Sequence, residues 1–307
     1  MILLVAALLA APVERTIATP DGERRYLLVK PAATGPLPLV VVLHGHGGNA
    51  RLALTRSPLA AWAIISARDG VLVAAPVGTR GPDGRQGWND CRDAPRQLPH
   101  SDDVGFVRAV IDALVRDDGA DPSRVYVMGM SNGAMMALRL AVQLDPPPAA
   151  VAAACGLLAD GGQCAPPARP IPALLIEGTK DPLVSWEGGA LGKNRGVVLS
   201  ATRTAEAFVA AAGLAGAKPV ETAFPHREKS DPTRAVKQVW GPAGGPQVEL
   251  IRIEGGGHAE PTLDHPYGFA YRLLTGKQNH DFESAEEAWS FFRTRRAAAA
   301  SGSRSSP

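Results

Sequence analysis

Ser131 stands at the centre of Gly129-Met130-Ser131-Asn132-Gly133, between an apolar run and a stretch rich in Ala, Met and Leu. A serine hydroxyl is a weak nucleophile until a neighbouring base takes its proton. On a sharp strand-to-helix turn the hydroxyl is lifted clear of the sheet, and the backbone N–H of Asn132 is aimed at the same space. Glycines two positions either side let neighbouring backbone pass closely. The helix N-terminus adds a field that favours developing negative charge. The chemistry implied is acyl transfer through Ser131, with Asn132 as one donor to the oxyanion.

Three more segments supply what that chemistry needs. His44-Gly45-His46-Gly47-Gly48-Asn49 follows a strong apolar run, and a Gly-rich loop there can offer a second oxyanion donor. The donor is placed at His46, with Gly45 and Gly47 as alternatives. His44 is read as a structural residue of the loop rather than a metal ligand or base. After Ser131 this arrangement requires an acid and then a histidine. Asp181, in Gly178-Thr179-Lys180-Asp181-Pro182-Leu183-Val184, sits in the loop after an apolar run and is preferred over Glu177, which lies at that run's end. His258 follows Gly255-Gly256-Gly257, a flexible turn after another run, and is preferred as the base over His226, His265 and His280. A carboxylate at Asp181 would hold the imidazole in one tautomer and stabilise its positive form.

These residues depend on a scaffold that the hydrophobic pattern outlines. Short continuous apolar runs at Leu39 to Leu43, Val71 to Ala75, Val125 to Gly129 and Ala173 to Ile176, with a weaker one at Val248 to Ile253, read as strands buried on both faces. Asp103 to Val115 carries apolar residues at helical spacing, and Asn132 to Leu144 ends before Pro146-Pro147-Pro148. Ala201 to Ala212 and Ser284 to Arg295 also read as helices. Asp102 and Asp103 stand at a helix start, where Asp caps, and are given no chemical role. Strands alternating with helices predict an α/β fold with a mostly parallel central sheet and helices on both faces.

The bulk properties fit. The 307 residues carry a formal net charge of +2, and no dense Lys/Arg stripe suggests nucleic acid. Met1 to Ala11 is a short apolar run, too short to span a bilayer, that resembles the core of a secretory signal without the preceding positive residues. If it is a signal the protein is secreted or periplasmic; otherwise the run is buried and the protein cytoplasmic. Residues 12–296 are read as one catalytic domain, and 297–307 as a disordered tail. Of the three cysteines, Cys155 and Cys164 could form a small disulfide in an exported protein; the alternative is that Cys91, Cys155 and Cys164 are all free. No cysteine or histidine cluster has zinc-ligand spacing, and neither a metal nor an organic cofactor is expected.

With these segments in order, the chain resembles the feruloyl esterase and polyhydroxybutyrate depolymerase group of α/β-hydrolases, similar to carbohydrate esterase family 1, from about Arg24 to Arg295. The resemblance rests on Leu43-His44-Gly45-His46-Gly47-Gly48, Gly87-Trp88-Asn89-Asp90, Asp102 to Val107, Gly129 to Met136, Gly178 to Val184, Gly255 to His258 and Trp289-Ser290-Phe291-Phe292. It implies an α/β-hydrolase fold, a Ser131–His258–Asp181 triad and hydrolysis of a carboxylic ester. It also makes Trp88 a substrate-binding candidate, since a flat aromatic suits a phenolic acyl group or a sugar ring; packing beside the oxyanion loop is the alternative. The chain departs from the group at Glu177, where the group often has His, and after the base, where Ala259-Glu260-Pro261 stands. Thr262 to Asn279 looks like an added segment whose Tyr267, Phe269 and Tyr271 could wall the pocket. The expected partner is a small or polymer-attached ester, taken by a monomer without nucleic acid or stable membrane insertion. Two other readings remain open: a serine peptidase of the same fold, disfavoured by the lack of room for a propeller or cap domain, and an inactive binding protein, disfavoured by the intact triad.

Overall fold

A computed structural model of the chain describes residues 11–192, 194–243 and 245–297. Almost all of the N-terminal apolar run and the tail after Ala297 therefore lie outside the described residues. In chain order the strands are β1 (Val13–Thr19), β2 (Gly22–Val29), β3 (Leu37–Leu43), β4 (Leu72–Pro76), β5 (Thr79–Arg80), β6 (Gln86–Gly87), β7 (Ala120–Met130), β8 (Ala150–Ala154), β9 (Ala173–Gly178), β10 (Gly189–Ala190), β11 (Val197–Val198), β12 (Val220–Ala223), β13 (Arg234–Trp240) and β14 (Val248–Glu254). The helices are α1 (Ala50–Arg56), α2 (Ala61–Asp69), α3 (Asp103–Asp117), α4 (Asn132–Gln143), α5 (Ala201–Ala211), α6 (Phe269–Thr275) and α7 (Ser284–Phe292).

Ten strands make one sheet in the order β1-β2-β4-β3-β7-β8-β9-β14-β13-β12. The six from β4 to β14 run parallel. At each edge two strands are added antiparallel. The parallel strands are buried on both faces, as their unbroken Val, Leu and Ile runs require. In β3 all seven residues are buried. Side chains alternate across the strand: Leu39, Val41 and Leu43 join a core with Phe106 of α3, Leu138 of α4 and Phe208 of α5. Val40 and Val42 face the opposite core, with Trp62 of α2 and Phe292 of α7. The sheet is thus sandwiched between two helical layers, as the alternation of strands and helices predicts and as the resemblance to α/β-hydrolases implies.

The five strands expected from apolar runs are present. β8 is an addition, and so are the antiparallel edge strands β1, β2, β12 and β13. Asp102 caps α3 by accepting from the Gly105 N–H at 2.8 Å. Asp103 pairs with Arg24 at 2.8 Å with both side chains buried, a structural role.

The cysteines are joined differently from the candidate pairing. Cys164 is bonded to Cys91, at a Cα–Cα distance of 5.5 Å, and Cys155 is a buried free thiol. Cys155 follows β8, its N–H donating to Ile176 O at 2.9 Å, and its side chain is buried in the core shared with α2 and α7. Gly162, at φ +103°, turns the following loop back so that the Gln163 N–H donates to Cys91 O at 3.1 Å.

Candidate active site

Ser131 sits between β7 and α4 at φ +56°. A non-glycine residue there is strained, and such a conformation persists only where surrounding packing over-determines it. Here the sheet holds one side, the Ser131 N–H donating to Ala154 O of β8 at 2.8 Å. The flanking glycines explain the rest. A Cβ on Gly129 would overlap the Gly133 carbonyl, and a Cβ on Gly133 would overlap the carbonyl oxygens of Leu43 and His44. Strand, turn and helix pass within backbone contact, which only glycine permits.

The acid and base arrive from neighbouring parallel strands. Asp181 lies three residues beyond β9. Its Oδ1 accepts the N–H groups of Leu183 at 2.7 Å and Val184 at 2.8 Å, which fixes the carboxylate. Its Oδ2 accepts from His258 Nδ1 at 2.6 Å. His258 follows β14 through the triple-glycine turn, and its Nε2 lies 2.9 Å from Ser131 Oγ. With Nδ1 donating to the carboxylate, Nε2 holds the lone pair that accepts the serine proton. The three side chains sequence reasoning selected thus form one continuous relay, with His258 and Asp181 buried. The competing histidines are elsewhere: His226 pairs with Asp281 at 2.8 Å, and His280 Nδ1 contacts Thr262 O at 2.8 Å.

His46 and Asn132 both line the cavity beside Ser131. Their backbone N–H groups meet no acceptor among the described residues, whereas that of Gly47 donates to Gln86 O at 2.7 Å and drops out as a donor. A Cβ on Gly45 would come within 3.4 Å of Ser131 Cβ, so the glycine loop passes directly over the nucleophile. The Asn132 side chain has a task the pentapeptide does not reveal. Its Oδ1 accepts from the Trp88 N–H at 2.8 Å, and its Nδ2 donates to Trp88 O at 2.9 Å and Asp90 Oδ2 at 2.6 Å. His44 Nδ1 contacts its neighbour's carbonyl at 2.8 Å and Nε2 accepts the Gly78 N–H at 3.0 Å. Burial pushes its pKa down to about 4, in keeping with a neutral ring that braces the loop.

Trp88 is corrected by the structure. It is fully buried, is not among the cavity-lining residues, and donates through Nε1 to His44 O at 2.8 Å. The indole packs behind the glycine loop against the His44 ring, 5.0 Å between centroids, so it braces that loop and presents no surface to the cavity.

Around the relay, burial favours the neutral forms of the other acids. Glu177, the rival acid, is buried and accepts the Gly156 N–H at 2.9 Å; desolvation pushes it well above the ordinary carboxylate range. Cys155, whose Sγ lies within 4.8 Å of the ligand atoms of Asp181 and His258, is pushed up by burial too. Glu260 is raised to about 7, chiefly by burial.

The cavity is about 640 Å³. One wall is Tyr267 and Tyr271, stacked 4.2 Å apart, from the added segment; Phe269 faces solvent instead, 72% exposed. The same segment holds the base, since the His258 N–H donates to Thr275 O at 2.6 Å and the Gly257 N–H to Lys277 O at 2.7 Å. α1 and the loop after Cys91 also line the cavity, contributing Leu52, Arg56 and Arg92, which sequence reasoning missed because nothing in local spacing brings them there.

Known proteins resemble the chain in sequence and in fold. The esterase PHB depolymerase family matches residues 24–168. A Nocardia uniformis subsp. tsuyamanensis protein named "Putative esterase NocK" is 34% identical over 85% of this chain and 75% of its own length. Feruloyl esterase B of Piromyces equi is 34% identical over 73% of this chain, which spans only 40% of that relative. An acetyl xylan esterase from Aspergillus awamori superposes over 92% of this chain and 99% of its own with a TM-score of 0.62, at 16% identity, a likeness of fold.

Proposed function

The chain belongs to the esterase PHB depolymerase family and is a carboxylic ester hydrolase, and from that premise we propose that it works by acyl transfer through Ser131, His258 and Asp181. The observation that carries this is the unbroken relay from Ser131 Oγ through the imidazole to Asp181 Oδ2. Ser131 Oγ attacks the ester carbonyl as its proton passes to His258 Nε2. Asp181 stabilises the imidazolium without taking its proton. The carbonyl oxygen gains a negative charge and is met by the N–H groups of Asn132 and His46. Each such donor contributes about 3–4 kcal/mol to a transition state of this kind. The tetrahedral intermediate collapses, His258 returns the proton to the departing alkoxide, and an acyl-serine remains. Water then adds to it by the same route, and the acid leaves.

The relatives' names suggest feruloyl and acetyl esters as substrates, and the family's name a hydroxyalkanoate ester. The Cys91–Cys164 disulfide supports an oxidising compartment and hence export. No helix among the described residues is long and apolar enough to cross a membrane. Purified protein should hydrolyse a short 4-nitrophenyl ester. Ser131→Ala should cut that turnover by roughly 10⁴–10⁶-fold with the fold intact by circular dichroism. Near-normal turnover in the folded variant would remove Ser131 from the mechanism. Methyl ferulate, acetyl-xylan and short hydroxybutyrate oligomers, tested side by side, separate the substrate classes.

A further inference from the structure

The cavity over Ser131 is lined by four arginines, Arg56, Arg85, Arg92 and Arg195, and, among the described residues, by no aspartate or glutamate. This is not a by-product of composition, since the chain has 32 Lys and Arg against 30 Asp and Glu. Arg92 is already neutralised: it pairs with Asp90 at 2.7 Å, with both side chains buried. The other three form no salt bridge among the described residues. Arg195 spends only its Nε, donating to Gly192 O at 2.9 Å. Its backbone is held in turn, because Arg92 Nη1 donates to Arg195 O at 2.7 Å. Asp83, two residues before Arg85, is engaged elsewhere. Its Oδ2 contacts His46 Nε2 at 2.8 Å, and its Oδ1 accepts Arg85's own backbone N–H at 3.0 Å.

Unpaired cations around one cleft repel each other and focus a positive field into it. That arrangement is unfavourable in the free protein and favourable once an anion enters. Arginine forks fit a carboxylate through two parallel hydrogen bonds. The same cavity is lined by Leu52, Met135, Leu183 and the paired tyrosines, apolar surface that suits an apolar spacer. Resting on the ester-hydrolase reading above, we infer that the preferred substrate is an ester that also carries a free carboxylate, and that Arg56, Arg85 and Arg195 bind that group.

The test compares 4-nitrophenyl hydrogen adipate with 4-nitrophenyl hexanoate, which share a six-carbon acyl chain and differ in the terminal carboxylate. The wild-type kcat/KM should be higher for the adipate by at least about tenfold, in line with hydrogen bonds to a charged group. That ratio should collapse in the Arg56→Gln/Arg85→Gln/Arg195→Gln variant and persist in Arg116→Gln, an exposed α3 position outside the cavity. Raising the salt to about 0.5 M should lower the ratio, because exposed charges are then screened. A wild-type ratio near one, or a ratio unchanged in the triple variant, overturns this inference while hydrolysis of the hexanoate leaves the ester-hydrolase reading standing. Hydrolysis of neither ester overturns that reading and this inference with it.

Discussion

Glu260 follows the base by two residues and is fully buried. Its Oε2 accepts from Tyr267 Oη at 2.7 Å, and its Oε1 has no partner among the described residues. Burial raises it from the ordinary 4.5 to about 7. Between those values the folded state binds a proton that the unfolded chain has released. Its stabilising contribution is complete at acid pH and is lost as pH rises towards about 7, by up to about 1.4 kcal/mol per pH unit. Glu260→Gln keeps an acceptor for Tyr267 and cannot ionise. It should therefore gain stability relative to wild type as pH rises from about 5 to 8, measured by urea unfolding. A difference independent of pH would mean that Glu260 is not held neutral. At this scale Ser131, Asp181 and His258 were legible because each follows a strand end in a fixed order. Trp88 was misjudged because Gly-Trp-Asn-Asp records proximity to the site without recording which way the ring turns. Asn132 was read only as a backbone donor and its side chain was given no role, since that side chain's partners lie some forty residues away.

The turn between β7 and α4 can be built only with glycine two residues after the nucleophile. Gly133→Ala would drive a methyl group into two backbone carbonyls of the β3 end, which have no rotamer to change. It should cost at least about 3 kcal/mol or prevent folding, because overpacking against backbone is poorly relieved. Gly268→Ala, with nothing within 4 Å and no positive φ, should be close to neutral. Melting temperatures of the two variants check this, and equal values would deny the close approach. Strands rich in Val, Ile and Leu were legible from their runs. β8, Ala-Val-Ala-Ala-Ala, was not, since alanine favours a helix as readily as a buried strand. The edge strands β1 and β12 are largely exposed, and their mixed composition hides them from a search for apolar runs. α1 has seven residues, too short to display a helical period.

Across the whole molecule, the Cys91–Cys164 bond closes a loop of sequence separation 73 that includes Ser131. Sequence proximity was a poor guide to this pairing because disulfide geometry depends on where Cα atoms meet in the fold. Replacing both cysteines with serine should lower stability by about 2–4 kcal/mol with the same sheet retained. Urea unfolding with and without a reductant measures it, and an unchanged wild-type midpoint under reduction would show that the bond contributes nothing. The relay is set by the sheet. Ser131, Asp181 and His258 follow β7, β9 and β14, strands linked through β8 in one unbroken parallel ladder. The walls of the cavity come instead from α1, the loops around Arg85 to Gln97 and Leu183 to Arg195, and the segment bearing Tyr267 and Tyr271. Reactivity and selectivity are therefore inherited separately: substitutions in the wall loops can re-address the enzyme to new esters while the ladder keeps the catalytic distances, except at Thr275 and Lys277, where a wall segment also carries the backbone of the base.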